Sequence, residues 1–299
     1  MAKLRVVVAL PNDNAYQHEQ GVAAKAAAER LGLDLRILQA GDDAITQSQQ
    51  LLDIIQSPSQ PLPDALVVEP VTHTGLRRVA EAAVSAKIAW VISNTEVDYL
   101  QQLRKNPQIP VFSVSQKQQD IGRLMGKQLS ALLPSGGNVL YIQGPSTSAV
   151  AVQRHDGMES ARPSTLHLTA LRSKWSEESS CQSVSSWLKL ATSRPEKIDL
   201  VAGHTHELVL GARKAFLAIP DVQLRNKWLS LPFLGMGISS QVKPLVDGRI
   251  LTAAVITSLT MPRILEMLVH AFETKTQPPD STFVEAASYP PLEKLSALR

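Results

Sequence analysis

Short apolar runs alternate with longer stretches of helical period along most of the chain. The first unit predicts a strand over residues 4–10, a polar turn Pro11-Asn12-Asp13-Asn14 and a helix over 15–31. Asn14, with Gln17 three residues on, has the form of a capping box, and Gly32 stands where a helix ends in the left-handed conformation. Ala23, Ala24, Ala26, Ala27 and Ala28 keep that helix smooth enough to lie close on a sheet. A strand over 34–39 and a helix with Ile45, Leu51, Leu52 and Ile55 inward follow. After a strand over 65–69, Leu76, Val79, Ala80, Ala83 and Val84 repeat at the spacing of one buried helical face. Residues 88–92 and 111–114 are the next strands. Such short, nearly continuous apolar runs suit a parallel sheet covered by helices on both faces.

A second series begins at Asp120, where Ile121, Leu124, Met125, Leu129 and Leu132 form an inward helical face. Pro134-Ser135-Gly136-Gly137 turns into a strand over 138–142, and further strands are predicted over 166–171, 199–202, 233–236, 250–256 and 283–286. Helices between them carry Cys181, Val184 and Leu188, then Leu208, Val209, Ala212 and Phe216, then Ile264, Leu265, Leu268, Val269 and Phe272. Two such series predict an α/β chain of two Rossmann-like, doubly wound parallel-sheet lobes.

The 299 residues, 44% hydrophobic and 19% charged, suit two domains of ordinary size and exclude a mainly disordered chain. A net charge of +3 spread over scattered Lys and Arg argues against a nucleic-acid partner. No run of about 18 apolar residues exists, so membrane insertion is not expected. The apolar run near the start is too short for a signal peptide. The chain is therefore expected in the cytoplasm if Met1 is its native start, or in the periplasm if a leader was trimmed. Cys181 has no second thiol to pair or share a metal with, and is expected as a small core hydrophobe. No Gly-x-Ser-x-Gly, phosphate loop or His-Glu-x-x-His is present, and Gly235-x-Gly237 lacks the third glycine of a dinucleotide fingerprint. Neither enzyme chemistry nor a cofactor is expected.

Several motifs carry more specific information by their order. They are Asn12-Asp13-Asn14-Ala15-Tyr16-Gln17 with Gly21, Pro63-Asp64-Ala65-Leu66-Val67-Val68-Glu69-Pro70, and Asp120-Ile121-Gly122-Arg123 with Gly126. Gln143-Gly144 then leads to Arg154-His155-Asp156-Gly157-Met158. Gly203-His204-Thr205-His206-Glu207, Gly235-Met236-Gly237 and Val246-Asp247-Gly248-Arg249 follow. Together they resemble the type I periplasmic binding protein family, which contains ribose- and galactose-type sugar-binding proteins and is related to lactose-repressor-type effector domains. The resemblance covers essentially the whole chain.

That resemblance implies two lobes joined by a three-segment hinge, with ligand held between them. The chain would cross near Gln116, Ser258 and Ala287, so that residues 1–116 with 259–286 form one lobe and 117–258 with 287–299 the other. It also implies ligand contacts. Asn12, Asp13 and Tyr16 would supply polar groups and a stacking ring, although Asn and Asp also serve turns and caps. Glu69, Thr72 and Asn94 end strands where hydroxyls are gripped, or else belong to a solvated loop. Arg154 opens a helix and would fork across neighbouring oxygens, its alternative being a surface arginine. Trp175 would be a second stacking ring or a core tryptophan.

This chain also departs from the family pattern. Thr205-His206 stands where sugar-binding relatives often carry Asn-Asp, Gly237 replaces an Asp, and Thr257 replaces an amide near the hinge. Those departures put a simple hexose or pentose in doubt. The resemblance also implies that His18, His73, His155, His204 and His206 lie near the expected cleft. A metal site needs three or four placed ligands, so they are read as loop histidines, with a pH-sensitive response left open. The resemblance therefore implies a monomeric solute-binding protein for a sugar-like or polyol-like molecule, serving an ABC permease or a sensor. The alternative is the effector-binding domain of a regulator without its own DNA-binding segment.

Overall fold

The computed structural model describes residues 3–57, 61–72, 75–105, 109–190 and 197–296. They divide into two compact units, Met1–Gln116 with Leu259–Val284, and Lys117–Ser258 with Glu285–Arg299. The first unit begins β1 (Arg5–Leu10), α1 (Ala15–Leu31), β2 (Asp34–Gln39), α2 (Ala44–Ile55), β3 (Ala65–Val68) and α3 (Arg77–Ser85). It continues through β4 (Ala89–Ser93), α4 (Leu100–Leu103) and β5 (Val111–Gln116). The second unit runs α5 (Gln118–Leu132), β6 (Gly137–Gln143), α6 (Ala149–Ala161), β7 (Leu166–Arg172), α7 (Glu177–Leu188) and β8 (Leu200–Gly203). Then come α8 (His206–Leu217), α9 (Val222–Leu229), β9 (Phe233–Ile238), α10 (Ser239–Asp247) and β10 (Ala253–Thr257). The chain returns to the first unit for α11 (Met261–Thr274) and β11 (Ser281–Val284), and ends in the second with β12 (Ala286–Tyr289) and α12 (Leu292–Leu295).

The first sheet has the order β11-β5-β4-β3-β1-β2 and is parallel throughout. Its central strands β3, β4 and β5 are buried at every residue, as a sheet covered on both faces requires. The second sheet, β12-β10-β9-β8-β6-β7, is parallel except for β12, which runs antiparallel to β10. Along β6 the two-residue period sends Val139 and Tyr141 into one apolar core and Leu140 and Ile142 into the other. Helix α1 is capped as its sequence implies. The Asn14 side chain accepts from the Gln17 amide, and Gly32 takes φ +69°. The box is not reciprocal, because the Gln17 side chain reaches Glu69 instead.

Helices α5 and α6 meet backbone to backbone. A Cβ built at Gly122 would lie 2.1 Å from the Arg154 carbonyl oxygen, and one at Gly157 would lie 2.1 Å from that of Gln119. This contact sets Arg154 beside the start of α5. Gly157→Val is expected to cost about 1–3 kcal/mol or more by overpacking. Chemical denaturation of the ligand-free protein checks it, and an unchanged midpoint would show that the helices move apart freely.

Four expectations need correction. The last predicted strand is two: β11 pairs with β5 in the first sheet, and the chain then turns at Glu285 into β12, where Ala286 pairs with Thr257. The third crossing thus falls between Val284 and Glu285, and Glu285 and Ala286 both belong with the second unit. β10 starts at Ala253 rather than at residue 250, because α10 is followed by a tight turn that returns the Ile250 and Leu251 amides to the Leu245 carbonyl. Ile45 is 81% exposed, since the buried face of α2 carries Gln47, Leu51 and Ile55, four residues apart, and Ile45 lies on the opposite side of the helix. Arg154 lies well inside α6 rather than at its start. Cys181 is partly buried and packs against the core that holds Trp228 and Phe216.

Candidate functional site

Parallel strands gather their carboxyl ends at one edge of a sheet, and open α/β sheets take ligands there. In the first unit that edge carries a continuous polar network. The Tyr16 hydroxyl donates to Asn94 Oδ1 at 3.1 Å, and accepts from Gln20 Nε2 at 2.8 Å and Gln116 Nε2 at 3.1 Å. Asn94 Nδ2 donates to Glu69 Oε2 at 2.8 Å, and Gln17 Nε2 to Glu69 Oε1 at 2.7 Å. Asn94 takes φ +59° just past β4, a conformation that asparagine tolerates better than most residues. Burial raises the Glu69 carboxyl from 4.5 to about 7, against the opposing pull of the Asn94 and Gln17 hydrogen bonds.

Behind this network Gln20 is fully buried. Its Nε2 also donates to Thr260 Oγ1 at 2.9 Å, and its Oε1 accepts from the Met261 amide at 3.2 Å. Ser93 Oγ lies 2.8 Å from Thr260 Oγ1. Tyr16, Glu69 and Asn94 are therefore brought together. Asn12 is committed to its turn, accepting from the Asn14 amide at 3.1 Å and donating to Asp42 Oδ1 at 2.6 Å. Asp13, Thr72 and His18 are exposed, and His73 lies outside the described residues. Sequence reasoning missed Gln17, Gln20, Ser93 and Thr260. The available signal for Gln17 and Gln20 was helical spacing, which puts both on the face of α1 that carries Gly21, Ala24 and Ala28.

The same edge of the second sheet is built from aromatic and basic side chains. Arg154 is buried, with Nε donating to Gln118 Oε1 at 2.8 Å and Nη1 to the His204 carbonyl at 2.9 Å. Its guanidinium stands 5.7 Å from the centre of the Trp175 ring. Trp175, just past β7, is 40% exposed and is therefore not a core residue. Its ring stacks on His204 at 6.0 Å. Gln143 Nε2 and His155 Nδ1 are 3.1 Å apart. His204 is wholly buried and accepts the Gly144 amide at Nδ1, 3.1 Å away. Burial, and then the nearby Arg154, His155 and Arg172, push its imidazole down to about 3.

The Thr205 hydroxyl caps α8, accepting from the Leu208 amide at 3.4 Å. His206 is buried, with Nδ1 3.2 Å from the Met236 carbonyl oxygen and 3.4 Å from Glu207 Oε2. A Cβ built at Gly237 would lie 2.7 Å from that same Nδ1. The His206 imidazole, with the Val242 side chain at 2.8 Å, thus occupies room that a side chain at 237 would need. Thr257 is buried at the end of β10, in register with Ile238. Among the described residues no three His, Cys, Asp or Glu side chains converge as metal ligands. No helix among them is long and apolar enough to cross a membrane.

Solved structures share this architecture at low identity. An ABC transporter solute-binding protein from Bacillus halodurans, with bound myo-inositol, is 18% identical over 99% of this chain and 98% of its own, with a TM-score of 0.77. One from Actinobacillus succinogenes with bound D-allose is 17% identical over 99% and 100%, with a TM-score of 0.78. The fructose-binding periplasmic domain of a hybrid two-component system is 19% identical over 98% and 93%, with a TM-score of 0.74. These likenesses are of fold. No curated protein matches the chain. Residues 5–258 match the family model described as a periplasmic binding protein domain, a span that enters both units. The motif order read in the sequence and this match agree: the chain belongs to the periplasmic binding protein domain family.

Proposed function

We propose that the protein reversibly binds a sugar or polyol, making and breaking no covalent bond. The observation that carries this reading is the Glu69–Asn94–Tyr16 network. It gathers a carboxylate, an amide and a hydroxyl in one fixed arrangement at the ends of parallel strands. Each hydroxyl of a polyol both donates and accepts, so a preset array of such groups rejects molecules that leave any of them unpaired. Trp175 offers a partly exposed ring for the apolar face of a sugar, with Arg154 beside it for oxygens. The sugars and the polyol bound by proteins of the same fold support the same ligand class.

Thermal denaturation with D-allose, myo-inositol, D-fructose and a nucleoside tests it. A ligand at a hundred times its dissociation constant adds about 2.7 kcal/mol, a shift of several degrees. Trp175→Ala is expected to weaken whichever ligand gives that shift. No shift with any sugar or polyol would reject the proposal.

The protein acts outside the cytoplasmic membrane in this reading and hands its ligand to an ABC permease. The two-component neighbour favours a second reading, ligand sensing for a signalling partner. Genes for a permease and an ATPase beside this one support the first, and a sensor-kinase gene the second.

A further inference from the structure

We infer that His204 is the positioning residue of the second unit's polar edge, a neutral imidazole that holds Gly144 and Trp175 in register for the ligand while its backbone carbonyl accepts Arg154. This inference rests on the sugar-binding reading above and adds to it a residue that touches no ligand. Three contacts converge on it. Its Nδ1 accepts the Gly144 amide at 3.1 Å, its ring carries Trp175 at 6.0 Å, and its carbonyl accepts Arg154 Nη1 at 2.9 Å. Trp175 in turn packs tightly on Gly144, where an added Cβ would lie 2.3 Å from the indole. Because Nδ1 accepts a backbone N–H, the proton of the neutral ring must sit on Nε2.

That Nε2 is buried without a hydrogen-bond partner among the described residues, as is the hydroxyl of Tyr141, whose ring meets His204 edge-on at 5.2 Å. A residue serving only to fill the core would be better apolar, since an unpaired buried donor is costly. What the imidazole supplies beyond bulk is an acceptor for Gly144 joined to a flat face for Trp175. No other natural side chain of this size offers both while remaining uncharged beside Arg154.

The test separates those two supplies. His204→Phe keeps the flat ring and loses the acceptor, and His204→Asn keeps an acceptor and loses the ring. Trp175 emission, taken as the difference from Trp175→Phe, is read without ligand. It is expected to stay unchanged in His204→Phe, and in His204→Asn to shift red and be quenched at least twofold faster by acrylamide. Affinity for whichever of D-allose, myo-inositol or D-fructose binds the parent protein is expected to fall about tenfold in both variants. Unchanged affinity in both, or unchanged Trp175 emission in His204→Asn, overturns the inference.

Nitrogen-15 NMR of the unaltered protein covers the case in which the variants do not fold. One histidine is expected as the Nε2–H tautomer, not titrating between pH 5 and 8. If all the histidine signals titrate there, His204 is not the neutral acceptor and the inference fails. The emission and NMR measurements need no ligand, so a protein that binds no sugar rejects the function proposed above without deciding this point.

Discussion

Replacing Arg154 with alanine is expected to weaken ligand binding roughly tenfold to a hundredfold and to lower the stability of the second unit as well. Hydrogen bonds to a charged group contribute on the order of 1.5–3 kcal/mol each, and about 1.4 kcal/mol is a factor of ten in affinity. The stability loss follows from the two buried acceptors left behind, Gln118 Oε1 and the His204 carbonyl. Leaving such a group unsatisfied costs about 1–3 kcal/mol. Arg154→Lys should recover part of each effect, because an ammonium cannot span two acceptors as the planar fork does. Calorimetry with ligand and denaturation without it measure the two effects separately. Equal affinity in all three proteins removes Arg154 from the ligand contacts, and an unmoved midpoint contradicts the buried bonds.

Glu69 sets the second large effect, a dependence of stability on pH. Its carboxyl titrates at about 7 in the folded protein and near 4.5 in a free chain, burial being the cause. The folded state therefore holds the proton more tightly. The stability this contributes is complete below about pH 4.5 and is lost as pH rises through about 7, roughly 3 kcal/mol in all. Glu69→Gln removes this term and is expected to make the ligand-free protein more stable than the parent above pH 7. His204 works in the opposite sense, its contribution fading as pH falls from its ordinary value of 6.5 toward 3. It is present in both proteins, so their difference isolates Glu69. Denaturation midpoints between pH 5 and 8 decide the matter, and parallel curves for the two proteins would reject it.

The sequence by itself determined the alternation of strands and helices, the two α/β series and the family. All of these rest on short-range patterns. The helical repeat from Leu76 to Val84 marks a buried face whatever it packs on, and Asn14 and Gly32 punctuate α1 through bonds to residues a few positions away. Glu69, Asn94 and Tyr16 were legible as neighbours on one polar edge because each follows a strand whose carboxyl end lies there, and the structure joins them by hydrogen bonds. The tertiary structure decided which polar groups are already in use. Asn12 and Thr205 are ligand candidates in the sequence, and the structure adds that each already holds a local structure, a turn for Asn12 and a helix cap for Thr205.

Gln20 shows no ligand character in the sequence, yet its amide bonds Thr260, 240 residues away. The loss of room at Gly237 reads as a missing carboxylate until the His206 ring is seen to fill it. The exchange of sheets at Glu285 is equally silent, because both strands have the same local pattern and differ only in their partners. Periodicity reports which way a side chain faces. It carries no information about what arrives opposite, and a hydrogen bond or a steric exclusion is a property of that pair.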